Sequence, residues 1–228
     1  PLRRLAPLMQ TVSAARLFDE VLKLFHGGCA LQTYELLRHY ELFAALFPAT
    51  EGSLNEEEHA LPLLLPKALA STDARINADK PVTPAFLFAA LLWEPVRREA
   101  GRRRDNGASD LEALHAASES VLREQLDVIA IPRRFSFPMR EIWTMQPRFE
   151  RRQGKQAARL LAQKRFRAAY DFLLLRAESG EADAALAQWW TDYQTADGAQ
   201  RENLQTVVAT SSAPGKRRRR RRRRAGGE

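Results

Sequence analysis

The chain is poor in almost everything a catalytic centre is built from. Of its 228 residues only Cys29 is cysteine, which excludes an internal disulfide framework and a cysteine-built zinc site. Cys29 has neither a neighbouring base nor a local run of cations, so a buried or inert thiol is expected. His26, His39, His59 and His115 are scattered, without HExxH spacing or a nearby carboxylate set, so no metal centre is expected. Neither a GxxxxGK-Ser/Thr phosphate loop nor GxGxxG occurs. Two-metal nucleotidyl transfer needs carboxylates held about 4 Å apart, typically as Asp-x-Asp on a strand, and no Asp-x-Asp is present. No run approaches the roughly eighteen apolar residues of a spanning helix; the longest candidate, Pro84 to Trp93, is too short. No leader-like N-terminus is evident, and the chain opens on Pro1 rather than Met, which predicts a fragment. These absences predict a reduced, cytoplasmic protein that binds no metal itself and does not meet a membrane.

Positive charge is plentiful and unevenly placed. The formal net charge is +8. Lys216, Arg217, Arg218, Arg219, Arg220, Arg221, Arg222, Arg223 and Arg224 supply nine cations in a row, and Pro1 to Ser212 is balanced at 27 basic and 27 acidic residues. Within that neutral body, Arg133 to Arg167 holds eleven basic and two acidic residues. A basic region on a neutral body, followed by a basic tail, points to a polyanionic partner. If all the tail cations met single-strand phosphates, log affinity would fall with log salt at a slope of about −6.

Strand-forming residues are scarce too. Val, Ile and Thr are sparse and no convincing alternation of apolar and polar residues appears, so an all-α fold of roughly nine or ten helices is expected. Ser13 is placed to cap a helix through Phe25, with Ala14, Leu17, Val21, Leu24 and Phe25 on one face and Gly27-Gly28 as its stop. Thr33 to Tyr40 reads as a helix burying Leu36, Leu37 and Tyr40. Leu42 to Phe47 is a short one ended by Pro48, and Pro62 and Pro66 interrupt Asn55 to Ser71. Ser71 to Pro81 reads as a turn. Thr83-Pro84 opens a central helix that Pro95 ends or kinks, and Gly101 to Ser109 reads as an exposed connection. Asp110 to Ile129 is a long amphipathic helix carrying Leu111, Leu114, Ala117, Val121, Leu122, Leu126 and Ile129. Further helices are expected around Met139 to Gln146, over Phe166 to Ala177, and near Ala182 to Tyr193. From Thr195 the apolar residues thin out, and a disordered tail is expected.

The candidate RNA-binding residues are cations. Arg148, Arg152, Lys155 and Arg159 are spaced four, three and four apart and would share a helical stripe. Gly154 argues against a continuous helix. A turn at Gln153-Gly154 would instead aim Arg151, Arg152 and Lys155 at one phosphate. Arg133 and Arg134, just past Ile131-Pro132, join them, as do the nine cations of the tail. Trp143, Phe149 and one of Trp189 and Trp190 are expected in the core, the other tryptophan forming a packing edge or stacking platform.

Several blocks resemble the bacterial poly(A) polymerase I family, part of the nucleotidyltransferase superfamily that also contains tRNA nucleotidyltransferases. They are AARLFDEVLKLFHGG (Ala14 to Gly28), TYELLRHYELFAALFP (Thr33 to Pro48), TDARIN (Thr72 to Asn77), TPAFLFAALLW (Thr83 to Trp93), VIAIPRR (Val128 to Arg134), and REIWTMQPRFERRQGK through KRFRAAYDFLLLRAE (Arg140 to Glu178). The resemblance implies a polynucleotide adenylyltransferase that adds adenylates from ATP to RNA 3′ ends. It places the Mg²⁺-binding carboxylates in an N-terminal head domain absent from this chain, so the fragment alone is expected to be inactive. On that basis 1–50 are neck helices, 51–132 a helical body, 133–195 a basic RNA-engaging region and 196–228 a disordered arginine-rich tail. Implied partners are RNA 3′ ends, the protein's own head and the RNA-decay machinery. A CCA-adding tRNA nucleotidyltransferase and a non-catalytic RNA-binding module remain the alternatives.

Overall fold

The computed structural model describes residues 6–55 and 64–211. Among the described residues there are thirteen α-helices, two short 3-10 segments and no strand. The all-α expectation holds. The helices outnumber the roughly nine or ten expected because Pro48–Asn55, Lys155–Leu161 and Gly198–Ser211 each form one.

A 3-10 segment over Ala6–Thr11 leads into α1 (Ala14–Phe25). The Ser13 side chain accepts from Arg16 N at its start, as the sequence predicts. Leu17, Phe18, Val21 and Phe25 are buried, whereas Leu24 is exposed. The chain leaves α1 through Gly28, at φ +80°. α2 (Ala30–His39) buries Ala30 and Tyr34, not the expected Leu36, which is 50% exposed. α2 begins three residues earlier than predicted because Asp73, more than forty residues further along the chain, accepts hydrogen bonds from Ala30 N and Leu31 N. No local pattern encodes that cap.

Proline starts helices here as well as ending the ones before it, and Pro62 lies outside the described residues. Pro48 starts α4 (Pro48–Asn55) just after α3 (Phe43–Leu46). Pro66 lies in the first turn of α5 (Leu64–Ile76), and Pro95 in the first turn of α7 (Trp93–Asp105). A helix's first turn has no intrahelical acceptor for its N–H groups, so proline costs little there. The step at Leu92 separates α7 from α6 (Pro84–Leu91), which Thr83 caps. The stretch read as an exposed connection from Gly101 is helical through Asp105. α8 (Asp110–Val128) follows, opened by a capping box between Ser109 and Glu112. Its ends differ from expectation, since Leu111 and Leu126 are exposed.

α9 (Arg133–Met145) contains Pro138 and passes into a 3-10 segment, Gln146–Arg148. Then come α10 (Lys155–Leu161), α11 (Phe166–Glu178), α12 (Ala184–Thr195) and α13 (Gly198–Ser211). The disorder expected from residue 196 is therefore corrected for 198–211. Leu204 packs on the core beside Trp189, whose Nε1 donates to Leu204 O at 3.3 Å, and the Arg201 Nε donates to Tyr193 O at 3.0 Å. Few apolar residues suffice when each meets an existing aromatic surface. Ser212 to Glu228, with the arginine run, lies outside the described residues.

The buried side chains form two clusters. The larger runs from Leu17 to Trp143; the smaller joins Met145, Phe149, Ala157, Leu160, Phe166 and the aromatic face of α12. α11 links them: Phe172 meets Phe86 and Trp93 edge-on in the larger, while Phe166 and Tyr170 belong to the smaller. Trp143 fills the junction, fully buried, with Nε1 donating to Ala89 O at 3.0 Å. Among the described residues no helix is long and apolar enough to cross a membrane.

Candidate nucleic-acid interface

The basic segment between α9 and α11 is held from beneath. Gln146 is buried, and its Nε2 donates to Ile142 O at 3.0 Å and Ala169 O at 3.1 Å. Three residues on, Phe149 is fully buried against Phe166 and Trp190. Its carbonyl accepts from Trp190 Nε1 at 3.0 Å. Both tryptophans of the pair are buried, so neither Trp189 nor Trp190 is an exposed stacking platform. With side chain and carbonyl of Phe149 fixed inward, the flanking arginines are turned outward.

Gly154 then breaks the chain, at φ 55° and ψ −142°. That conformation is essentially reserved for glycine. Its carbonyl accepts from Gln205 Nε2 of α13 at 3.0 Å. α10 starts at Lys155 and buries Ala157 and Leu160, which leaves Gln156 and Arg159 facing out.

Arg148, Arg151, Gln156, Arg159 and Leu160 thereby line one open cavity of about 180 Å³. Three guanidinium groups share it with a neutral amide donor and no acid. Glu150, the one carboxylate nearby in sequence, lines a different cavity of about 230 Å³ with Trp93, Arg97 and Arg176. There Arg176 lies over Trp93, with Glu181 within 3.7 Å of its Nε. Burial pushes the Arg176 guanidinium below the usual arginine range, opposed by the charges of Glu181 and Glu150. Among the described residues no carboxylate pairs with Arg148, Arg151, Arg152, Lys155 or Arg159. The three other arginines around them do find partners, Arg140 with Glu119, Arg165 with Glu141 and Arg167 with Asp171.

The grouping differs from the expected stripe. Arg148 and Arg159 come together as predicted, and Arg151 joins them. Arg152 instead lies over the Trp189 ring at 5.8 Å, with its Nε buried and without a hydrogen-bond partner. Lys155 is exposed and outside the cavity lining. The break at Gly154 is the reason, because spacing on an ideal helix does not survive a residue with positive φ. Arg133 and Arg134 stand at the opposite end of α9, with the Arg134 guanidinium over the Phe135 ring at 4.8 Å. The tail cations Lys216 to Arg224 lie outside the described residues. Sequence reasoning missed Gln156; its one signal was its place beside the buried Ala157, on the outward side of a short helix.

The other reactive side chains gather no site. Cys29 is exposed, not buried, because it sits at the start of α2 where the chain turns out of α1; its Sγ is 3.8 Å from Thr33 Oγ1. Glu20 pairs with Lys23 at 2.9 Å. Among the described residues no group of three or more His, Cys, Asp or Glu side chains could hold a metal ion.

A family model described as "Polymerase A arginine-rich C-terminus" matches residues 106–225, and one described as "Probable RNA and SrmB- binding site of polymerase A" matches residues 1–54. The chain is 40% identical over 207 residues to poly(A) polymerase I of Haemophilus influenzae, covering 90% of this chain and 46% of that protein. It is 38% identical over 218 residues to the Salmonella typhi protein of the same name, covering 94% and 47%. Against that of Escherichia coli O6:H1 it is 41% identical over 199 residues, covering 85% and 43%. The chain thus spans about half the length of the curated relatives it matches.

Proposed function

The chain belongs to the poly(A) polymerase family, and from that premise we propose that it is the RNA-holding part of a polynucleotide adenylyltransferase. The full-length protein adds adenylates from ATP to RNA 3′ ends. A head domain N-terminal to this chain takes the nucleotide and Mg²⁺, for which the described residues offer no carboxylate cluster. Residues 1–50 act as neck, 51–132 as body and 133–195 as the RNA-engaging region.

The observation that carries this reading is the acid-free cavity bounded by Arg148, Arg151 and Arg159. Guanidinium groups bind phosphate oxygens through charge-assisted, often bidentate hydrogen bonds. Arginines without a carboxylate keep those donors available, so a phosphate need not displace an internal partner. Contacts to phosphate carry no base information. A strand held this way can have any sequence and can slide, which suits an enzyme that must accept many RNAs and then its own growing product. The cations Lys216 to Arg224 add affinity without reading bases.

The test is to reverse charge in the full-length protein with Arg151→Glu and Arg159→Glu together. Affinity for an oligoadenylate should fall about 100-fold at low salt, and the log–log salt slope should flatten by about 1.4, at about 0.7 per lost contact. Unchanged affinity and slope would overturn the assignment. Given ATP as sole nucleotide, the parent protein should build long tails; addition that stops after a few residues would favour a CCA-adding enzyme.

A further inference from the structure

Phe137 is the most exposed large apolar side chain of the structure among the described residues, at 58%. The cavity just described does not use it. It stands in the second turn of α9, four residues after Arg133 and three after Arg134, so all three fall on neighbouring positions of one helix surface. Phe135, two residues earlier, points the other way and stacks on Phe18 with ring centroids 5.8 Å apart. The first two turns of α9 therefore place one ring inward and one outward. Both arginines are exposed, and among the described residues neither pairs with a carboxylate.

Arg133 and Arg134 precede the exposed ring by one helical turn, Arg134 resting over Phe135; a ring with cations nearby is what a single-stranded nucleic acid uses, a flat face for a base and charge for the adjoining phosphates. A protein partner would need apolar surface around the ring, and here the positions one helical turn away are Arg133, Arg134, Arg140 and Glu141. The position continues the track already found. Phe137 and Arg148 are eleven residues apart, about 18 Å along the chain at 1.5 Å per residue in α9 and about 2.0 Å in the 3-10 segment, a span of a few nucleotides. Between them Glu141 and Thr144 follow at helical spacing, and Glu141 pairs with Arg165 at 3.4 Å.

We propose that Phe137 is a base-stacking platform, with Arg133 and Arg134 as its phosphate contacts, and that it forms the second station of an RNA strand whose backbone is gripped at Arg148, Arg151 and Arg159. This rests on the phosphate-gripping role of that cavity. The strand crosses the outer surface of α9 from one end to the other.

The test uses the full-length protein and a short oligoadenylate carrying 2-aminopurine, with affinity read by anisotropy and stacking by fluorescence quenching. Phe137→Ala and Phe137→Leu should each weaken binding about tenfold, the loss of one stacked base, and abolish quenching at one position. Phe137→Trp should retain both. None of the three should change the salt slope, because no cation is removed, and an abasic oligonucleotide should bind parent and Phe137→Ala alike. If Phe137→Leu binds and quenches like the parent while Phe137→Ala does not, the ring is an apolar contact for protein and the proposal fails. It fails equally if all three variants match the parent. Loss of affinity in Arg151→Glu with Arg159→Glu, but not in Phe137→Ala, would remove this station and leave the cavity's role standing.

Discussion

The arginines of α7 and the cations from Arg148 to Arg159 are equal in number and differ in partners. In α7, Arg97 and Arg98 both reach Glu94, at 2.6 and 3.4 Å. Arg102 and Arg103 both reach Glu99, at 3.0 and 2.8 Å, and Arg104 reaches Asp110 at 3.3 Å. Arg148, Arg151, Arg152, Lys155 and Arg159 have no such partner among the described residues. Composition alone treats the two stretches alike. Structure separates charge spent on holding a helix together from charge left available to an outside anion. The difference has a readable origin. Glu94 and Glu99 each precede two arginines by three and four residues, the spacing at which side chains meet on a helix. The later segment has only Glu150, which the buried Phe149 and the following turn direct into another cavity.

The contrast can be broken most sharply by charge reversal on each side of it. Arg102→Glu with Arg103→Glu should leave oligoadenylate affinity within about threefold of the parent, against the 100-fold loss expected for Arg151→Glu with Arg159→Glu at the same salt. Equal losses would mean that total charge governs binding and that pairing is irrelevant. A smaller effect is expected from Gly154→Ala. No atom stands within 4 Å of the added Cβ, so the cost is backbone strain alone, about 1–3 kcal/mol. It should appear in urea unfolding together with weaker RNA binding, because the turn sets where Arg159 sits relative to Arg148. Glu94→Gln tests the other member of the comparison. The buried carboxylate serves two half-exposed arginines, so its loss should cost about 1–2 kcal/mol of stability and leave RNA affinity untouched. Least of all, Arg102→Ala removes a mostly exposed arginine from a carboxylate that keeps Arg103, and should shift stability by no more than about 0.5 kcal/mol in the same unfolding assay.

Much of the fold was legible because its signals are local. Ser13 and Thr83 both cap the helices their spacing predicts. The apolar periodicity of α1 and α8 placed most of their buried residues. What escaped was set by distant partners. Asp73 begins α2 from more than forty residues away, ion pairs carry α7 past Gly101, and Trp189 gives α13 something to rest on. The site was half legible for the same reason. Its charge and its glycine were visible in RRQGK, but a stripe drawn on an ideal helix included Arg152 and omitted Arg151. Only the burial of Phe149 and the turn at Gly154 decide which arginines converge. Phe137 escaped altogether, since an exposed ring inside an apolar pattern looks like core until its neighbours are known.

The hydrogen bond from Gln205 to the Gly154 carbonyl has a practical bearing on how the C-terminus is dissected. Deleting everything after Thr195 removes a brace from beneath the arginine pocket along with the run of arginines beyond it. A shortened protein of that kind would overstate what the terminal residues do by themselves. Cutting after Ser211 keeps the latch closed and lets the contribution of the last seventeen residues be weighed on its own.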